Sequence, residues 1–151
     1  MEKELEILIK SRVLLLKVTE NLTLDQVNTL PEGHRNNIAW NLAHLLVTQQ
    51  LLCYIKSGLK TSLNQEFVDQ FKKGSKTEFN IDLEMYTYIR ESLLSFAEQT
   101  SVDFFQNKFK TYEAYTTSVG VSLNSIEDAI KFNNYHEGIH LGTVLAQRKM
   151  V

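Results

Sequence analysis

Cysteine and proline occur once each in this chain, and neither a basic excess nor a long apolar run accompanies them. A single cysteine, Cys53, cannot close an intramolecular disulfide, so the fold has no disulfide framework and a reducing cytoplasm is the expected setting. With Pro31 the only proline, most of the chain is free to run in uninterrupted helices. The 16 Lys and Arg residues against 18 Asp and Glu give a formal net charge of −2. That balance offers no cationic surface for nucleic-acid binding as a main task. No stretch approaches about 18 consecutive apolar residues, which argues against a membrane-spanning helix. The first residues, MEKELE, are charged and have no apolar segment behind them, unlike a secretory or transit peptide.

What is present is ordinary for a globular protein. At 151 residues, 43% hydrophobic and 23% charged, the chain fits one domain over residues 1–151 with its own core. Four segments carry the three- and four-residue spacing of an amphipathic helix: residues 3–20, 36–57, 81–99 and 124–149. The first has Leu5, Leu8, Ile9, Val13, Leu15 and Leu16 along a broad apolar face. The second stops at Gly58, a common helix-ending residue. The third aligns Met85 or Tyr86 with Ile89, Leu93, Phe96 and Ala97. The fourth opens on Asn124-Ser-Ile-Glu127, a cap residue followed three positions later by glutamate.

The connectors carry information too. Residues 21–35, with Pro31-Glu-Gly33, read as a loop with turns. Residues 58–80 hold a short possible helix at 64–71. Residues 100–121 contain Phe104, Phe105, Phe109, Tyr112 and Tyr115, so this loop is expected to pack on the body, with a short extended piece at 112–121. A helix of about 20 residues spans roughly 30 Å, and the 58–80 connector is long enough to return that distance. The fold expected is all-α, a four-helix bundle in up-down-down-up order with long connectors between helices 2 and 3 and between helices 3 and 4.

The strongest chemical signal is His136-Glu137-Gly138-Ile139-His140. Two histidines four apart on a helix stand one above the other and can share a metal ion. Ile126, Ala129, Ile130, Leu141, Val144 and Leu145 define the apolar arc of this helix. His140 falls inside that arc with Asn133 beside it, and His136 lies at its flank. Polar rings turned inward need partners, which a shared cation or backbone and side-chain hydrogen bonds could supply. The second helix offers a third ligand. Asn37, Trp40, Asn41, His44, Val47, Thr48 and Leu51 form a stripe that is part apolar and part hydrogen-bonding, a mixture suited to a pocket between helices. His44, His136 and His140 are therefore the candidate metal ligands, and three histidines leave one position open for water or substrate. Zinc and nickel both accept imidazole.

The same residues spell H-E-x-x-H, which in zinc proteases supplies two ligands and a glutamate base. Those enzymes usually take a third ligand from downstream, and Leu141 to Val151 contains no His, Asp, Glu or Cys. Glu137 remains open as a general base, a support for the metal ligands or an ionic contact to a neighbouring helix. Asn37, Asn41, Thr48 and Asn133 are candidates for orienting ligands or substrate. His34 reads as a surface or rim residue, and Cys53 as a small core residue.

The segments NNIAWNLAHLL (residues 36–46) and FNNYHEGIHLG (residues 132–142) resemble the DinB/YfiT-like superfamily, and the resemblance covers nearly the whole chain. It implies a four-helix bundle holding one divalent metal, zinc or nickel, on His44, His136 and His140. It also implies a thiol-dependent S-transferase-like activity, with a low-molecular-weight thiol as cofactor, because relatives include bacillithiol-type S-transferases and mycothiol-dependent isomerases. The resulting expectation is a cytoplasmic metal-dependent transferase or hydrolase acting on a small molecule, with homodimerisation through helix faces compatible. The alternative is a non-catalytic, metal-stabilised bundle serving as a stress-linked interaction protein.

Overall fold

The computed structural model describes residues 1–151. The chain is mostly helical, with six α-helices and one two-stranded hairpin. In order these are α1 (Glu2–Val18), α2 (Leu24–Asn28), α3 (Ile38–Gln49), α4 (Gln65–Phe71), α5 (Leu83–Phe105), β1 (Tyr115–Thr116), β2 (Ser122–Leu123) and α6 (Ile126–Gln147). Helix α3 continues through a π-turn at Gln50–Tyr54 and a 3₁₀ turn at Ile55–Ser57, and ends on Gly58 in the left-handed conformation expected of a helix-ending glycine.

The all-α expectation holds, and the differences lie at the ends and in the loops. Residues 21–35 contain α2, whose Thr23 and Gln26 form a reciprocal capping box. Helix α5 runs six residues beyond the expected end at residue 99, placing Phe104 and Phe105 on a helix and not in a loop. No proline or glycine interrupts that stretch, so nothing stops the helix there. The cap of α6 is Ser125, which accepts from the Asp128 amide, instead of the expected Asn124 opposite Glu127. Asp128 in turn accepts from the Asn124 amide at 3.0 Å.

Helix α3 dominates the interior. Every residue of α3 from Ile38 to Val47 is buried. The segment Ile38–Ser57 is long and apolar enough by composition to cross a membrane, but most of it is buried inside this protein. Its apolar side chains pack on α5 and α6. One core cluster gathers Leu15, Ile38, Leu42, Leu45, Leu46, Ile89, Leu93 and Val144. A second gathers Leu5, Leu52, Cys53, Phe109, Leu123, Ile126 and Ile130. Each fully buried Leu or Ile contributes about 1.5–3 kcal/mol.

Helix α1 packs on α5 and α6, and α3 packs on the same two helices. The registers are marked by hydrogen bonds. Asn134 donates to the Glu4 carbonyl and Arg148 to the Val18 carbonyl. Arg90 reaches the Leu16 carbonyl. Gln49 donates to the Phe96 carbonyl and Thr100, and Tyr54 to Asp103. In the connector before α5, the Asn28 side chain bonds both the amide and the carbonyl of Ile81 at 2.9 Å. That clasp fixes the end of the connector carrying α4 against the end of α2.

Candidate functional site

Helix α3 is set in phase by its first residue. Asn37 accepts from the Trp40 amide at 2.8 Å and donates to the Asn28 carbonyl, so it is a helix cap. From there Trp40, Asn41, His44 and Thr48 fall on one face, turned towards α6. His136 and His140 meet them from α6. The ring centroids of His44 lie 5.1 Å from His136 and 4.9 Å from His140, and those of His136 and His140 are 4.4 Å apart. Ligand-type nitrogens of all three lie within 4.8 Å of one another.

The orientation of two of the rings, His44 and His140, has a cause. The indole of Trp40 stacks on His44 at 4.5 Å with planes 13° apart. His44 Nδ1 donates to the Phe71 carbonyl at 2.7 Å, which leaves Nε2 as a lone-pair donor facing the other rings. The Phe71 carbonyl lies at the end of α4, so the short helix serves to aim a histidine. His140 is held by a relay. Gln147 Nε2 donates to the Asn36 carbonyl at 2.6 Å, and Gln147 Oε1 accepts from Asn41 Nδ2 at 3.2 Å. Asn41 Nδ2 also donates to the Asn37 carbonyl, which points its Oδ1 at His140 Nδ1, 2.7 Å away. His140 therefore carries its proton on Nδ1 and presents a bare Nε2.

That bare nitrogen lies 3.1 Å from His136 Nε2. If His136 carries its proton on Nδ1, two lone pairs confront each other. If it carries the proton on Nε2, its Nδ1 lone pair is left buried without a partner. A cation shared by the facing nitrogens removes the first conflict, so the donor set fits a metal ion. Burial pushes all three imidazoles below their ordinary value, His140 to about 4 and His136 to about 2, with repulsion from neighbouring rings adding to it for those two and the Lys73 charge for His44. They are neutral near pH 7, as metal ligation requires.

The histidines stand in the wall of a cleft of about 560 Å³. Val47, Leu51, Leu52, Ile55 and Phe132 give it apolar sides, and Tyr115, Thr117 and Ser118 of the hairpin region close one edge. Of the other residues singled out in the sequence, Asn41 and Thr48 line this cleft, and the Thr48 hydroxyl is 3.3 Å from His44 Nε2. His34 lies at the mouth.

Asn37 and Asn133 do not line it. Asn133 is fully buried and donates to Glu137 at 3.3 Å. Glu137 is turned away as well. Residue 137 follows His136 by about 100° around the helix, enough to leave the cleft face. Its carboxylate is buried in an ion pair with Arg12, so of its three open roles the structure selects the ionic contact to another helix. Arg12 escaped the sequence reading, although it continues the line Leu5, Leu8, Arg12, Leu15 at helical spacing. Gln147, seven residues beyond His140 and on its face, carried the same kind of signal.

No curated protein matches the chain significantly. The description "DinB superfamily" belongs to the family model that matches residues 7–144, a span holding all three histidines and most of the four long helices. The chain belongs to the DinB superfamily.

Proposed function

We propose that this protein holds one divalent ion, zinc or nickel, on His44, His136 and His140, and acts on a small molecule as a thiol-dependent S-transferase-like enzyme or a hydrolase. The observation that carries the reading is the convergence of three neutral imidazoles, two of them oriented by hydrogen bonds, on an open cleft. Membership of a generally metal-binding superfamily supports it. The ion, when bound, supplies a Lewis acid that lowers the pKa of a thiol or water.

The chain's own residues do the rest. Asn41 and the Phe71 carbonyl fix the tautomers and angles of His140 and His44. The Thr48 hydroxyl, beside His44, is placed to hydrogen-bond a group at the open position. Val47, Leu51 and Phe132 hold an apolar body and exclude water. No carboxylate lines the cleft, so the reaction suits a nucleophile that loses its proton through a lowered pKa, without a protein carboxylate as base.

The finer architecture belongs to the same reading. Registers 4–134 and 18–148 make α1 and α6 parallel, 49–96 and 54–103 make α3 and α5 parallel, and His44 beside His140 with Asn41 beside Gln147 makes α3 and α6 antiparallel. That order is an up-down-down-up four-helix bundle. Work in the cytoplasm, apart from nucleic acid and membrane, completes the reading. Homodimerisation is compatible with Tyr135 and Ile139, which stand exposed on α6.

X-ray absorption at the zinc edge tests the catalytic part. Zinc-loaded protein should show three imidazoles and one light atom, with sulfur replacing that atom when mercaptoethanol is added. A closed shell that thiols leave unchanged would favour a metal-stabilised interaction protein instead.

A further inference from the structure

We propose that the cleft selects anionic small molecules, with Arg35 and Lys73 at its mouth meeting a carboxylate or phosphate while an apolar body lies along Val47 and Leu51. The inference rests on the reading of this cleft as the substrate site. Acidic residues outnumber basic ones in the chain, yet the only formally charged residues that line the cleft are Arg35, Lys56 and Lys73. Lys56 is already compensated, 3.0 Å from Glu113 and over the Tyr115 ring at 5.3 Å. Arg35 and Lys73 form no ion pair with any carboxylate of the chain.

These two cations come from separate elements. Arg35 lies in the turn before α3 and Lys73 just after α4, and both are exposed. Neither contributes a contact that explains its place in folding. Two unpaired cations over an apolar, partly closed space raise the local concentration of anions and steer them inward. Three neutral imidazoles add no negative charge to offset them. A neutral apolar molecule would find the same walls but nothing at the mouth.

The test uses three probes with one apolar tail: octanoate, octyl phosphate and octanamide. Their binding is measured by titration calorimetry to zinc-loaded and metal-free protein, at low and high salt. Wild type should bind at least one anion roughly tenfold more tightly than octanamide at low salt, with the margin shrinking at high salt. An advantage for octanoate alone assigns a carboxylate, and one for octyl phosphate alone a phosphate. In Arg35→Ala/Lys73→Ala that margin should collapse while zinc stoichiometry stays at the wild-type value. Equal binding of all three probes by wild type, or an anion preference kept by the double variant, would overturn the proposal. Failure of the metal reading is separately visible, as absence of bound zinc in wild type with the anion preference intact in the metal-free protein.

Discussion

Arg12 Nη2 and Glu137 Oε1 meet at 2.8 Å in the interior, and solvent reaches neither side chain. The guanidinium also donates to the Leu93 carbonyl at 2.9 Å and the Leu45 carbonyl at 3.3 Å. One residue of α1 thereby touches α3, α5 and α6 at once. Asn133 completes the shell of the carboxylate. The arrangement separates two roles that adjacent sequence positions would confuse: His136 and His140 serve the cleft, and Glu137 serves the packing.

Removing one partner of such a pair leaves a buried charge without compensation. Arg12→Ala should lower stability by about 3–5 kcal/mol, whereas Arg12→Met/Glu137→Leu should recover most of the loss. Urea unfolding of the two variants checks this. A single variant as stable as wild type would show that the pair contributes nothing.

Asn41 controls the proton of His140. Asn41→Ala removes the acceptor and should weaken zinc binding about 10–100-fold, with one ion still bound at saturation. Asn41→Asp keeps an acceptor and should retain affinity. Competition with a chromophoric chelator measures both, and unchanged affinity in Asn41→Ala would remove the relay from the account.

The depressed histidines make the metal-free protein acid-sensitive. In the unfolded chain these imidazoles take up protons near pH 6.5, while in the folded chain burial holds His140 to about 4 and His136 to about 2. Below about pH 6.5 the unfolded state therefore binds more protons, and stability falls as pH drops towards 4; well above 6.5 these groups contribute no pH dependence. Thermal melting of metal-free wild type should show that decline. His136→Gln/His140→Gln should flatten it, and superimposable profiles would contradict the cause assigned here.

Cys53 is fully buried, and burial pushes its thiol up to about 12. It should resist a thiol-reactive disulfide reagent in native protein and react fully in denaturant. Rapid native labelling would place a reactive thiol where the packing leaves no path to one.

Much of this fold was legible because its signals are local. Apolar spacing marked α1, α3, α5 and α6, and Gly58 marked the end of the α3 segment. Helix α2 was hidden because five residues carry too little periodicity to detect. At the site, the spacing of His136 and His140 and the mixed stripe around His44 identified the residues that converge. Asn37 and Asn133 looked equivalent to Asn41 because all three are amides on inward faces. Only tertiary contacts separate a helix cap and a carboxylate partner from a histidine's hydrogen-bond acceptor. The Phe71 carbonyl was invisible in principle, since a backbone oxygen leaves no mark on side-chain pattern.

The most direct measurement is metal content after loading with zinc and exhaustive dialysis, in wild type and in folded His44→Ala. One zinc per wild-type chain is expected, with loss of stoichiometric zinc in the variant, because His44 is the only ligand supplied from outside α6. A full equivalent of zinc retained by His44→Ala would contradict the three-histidine centre.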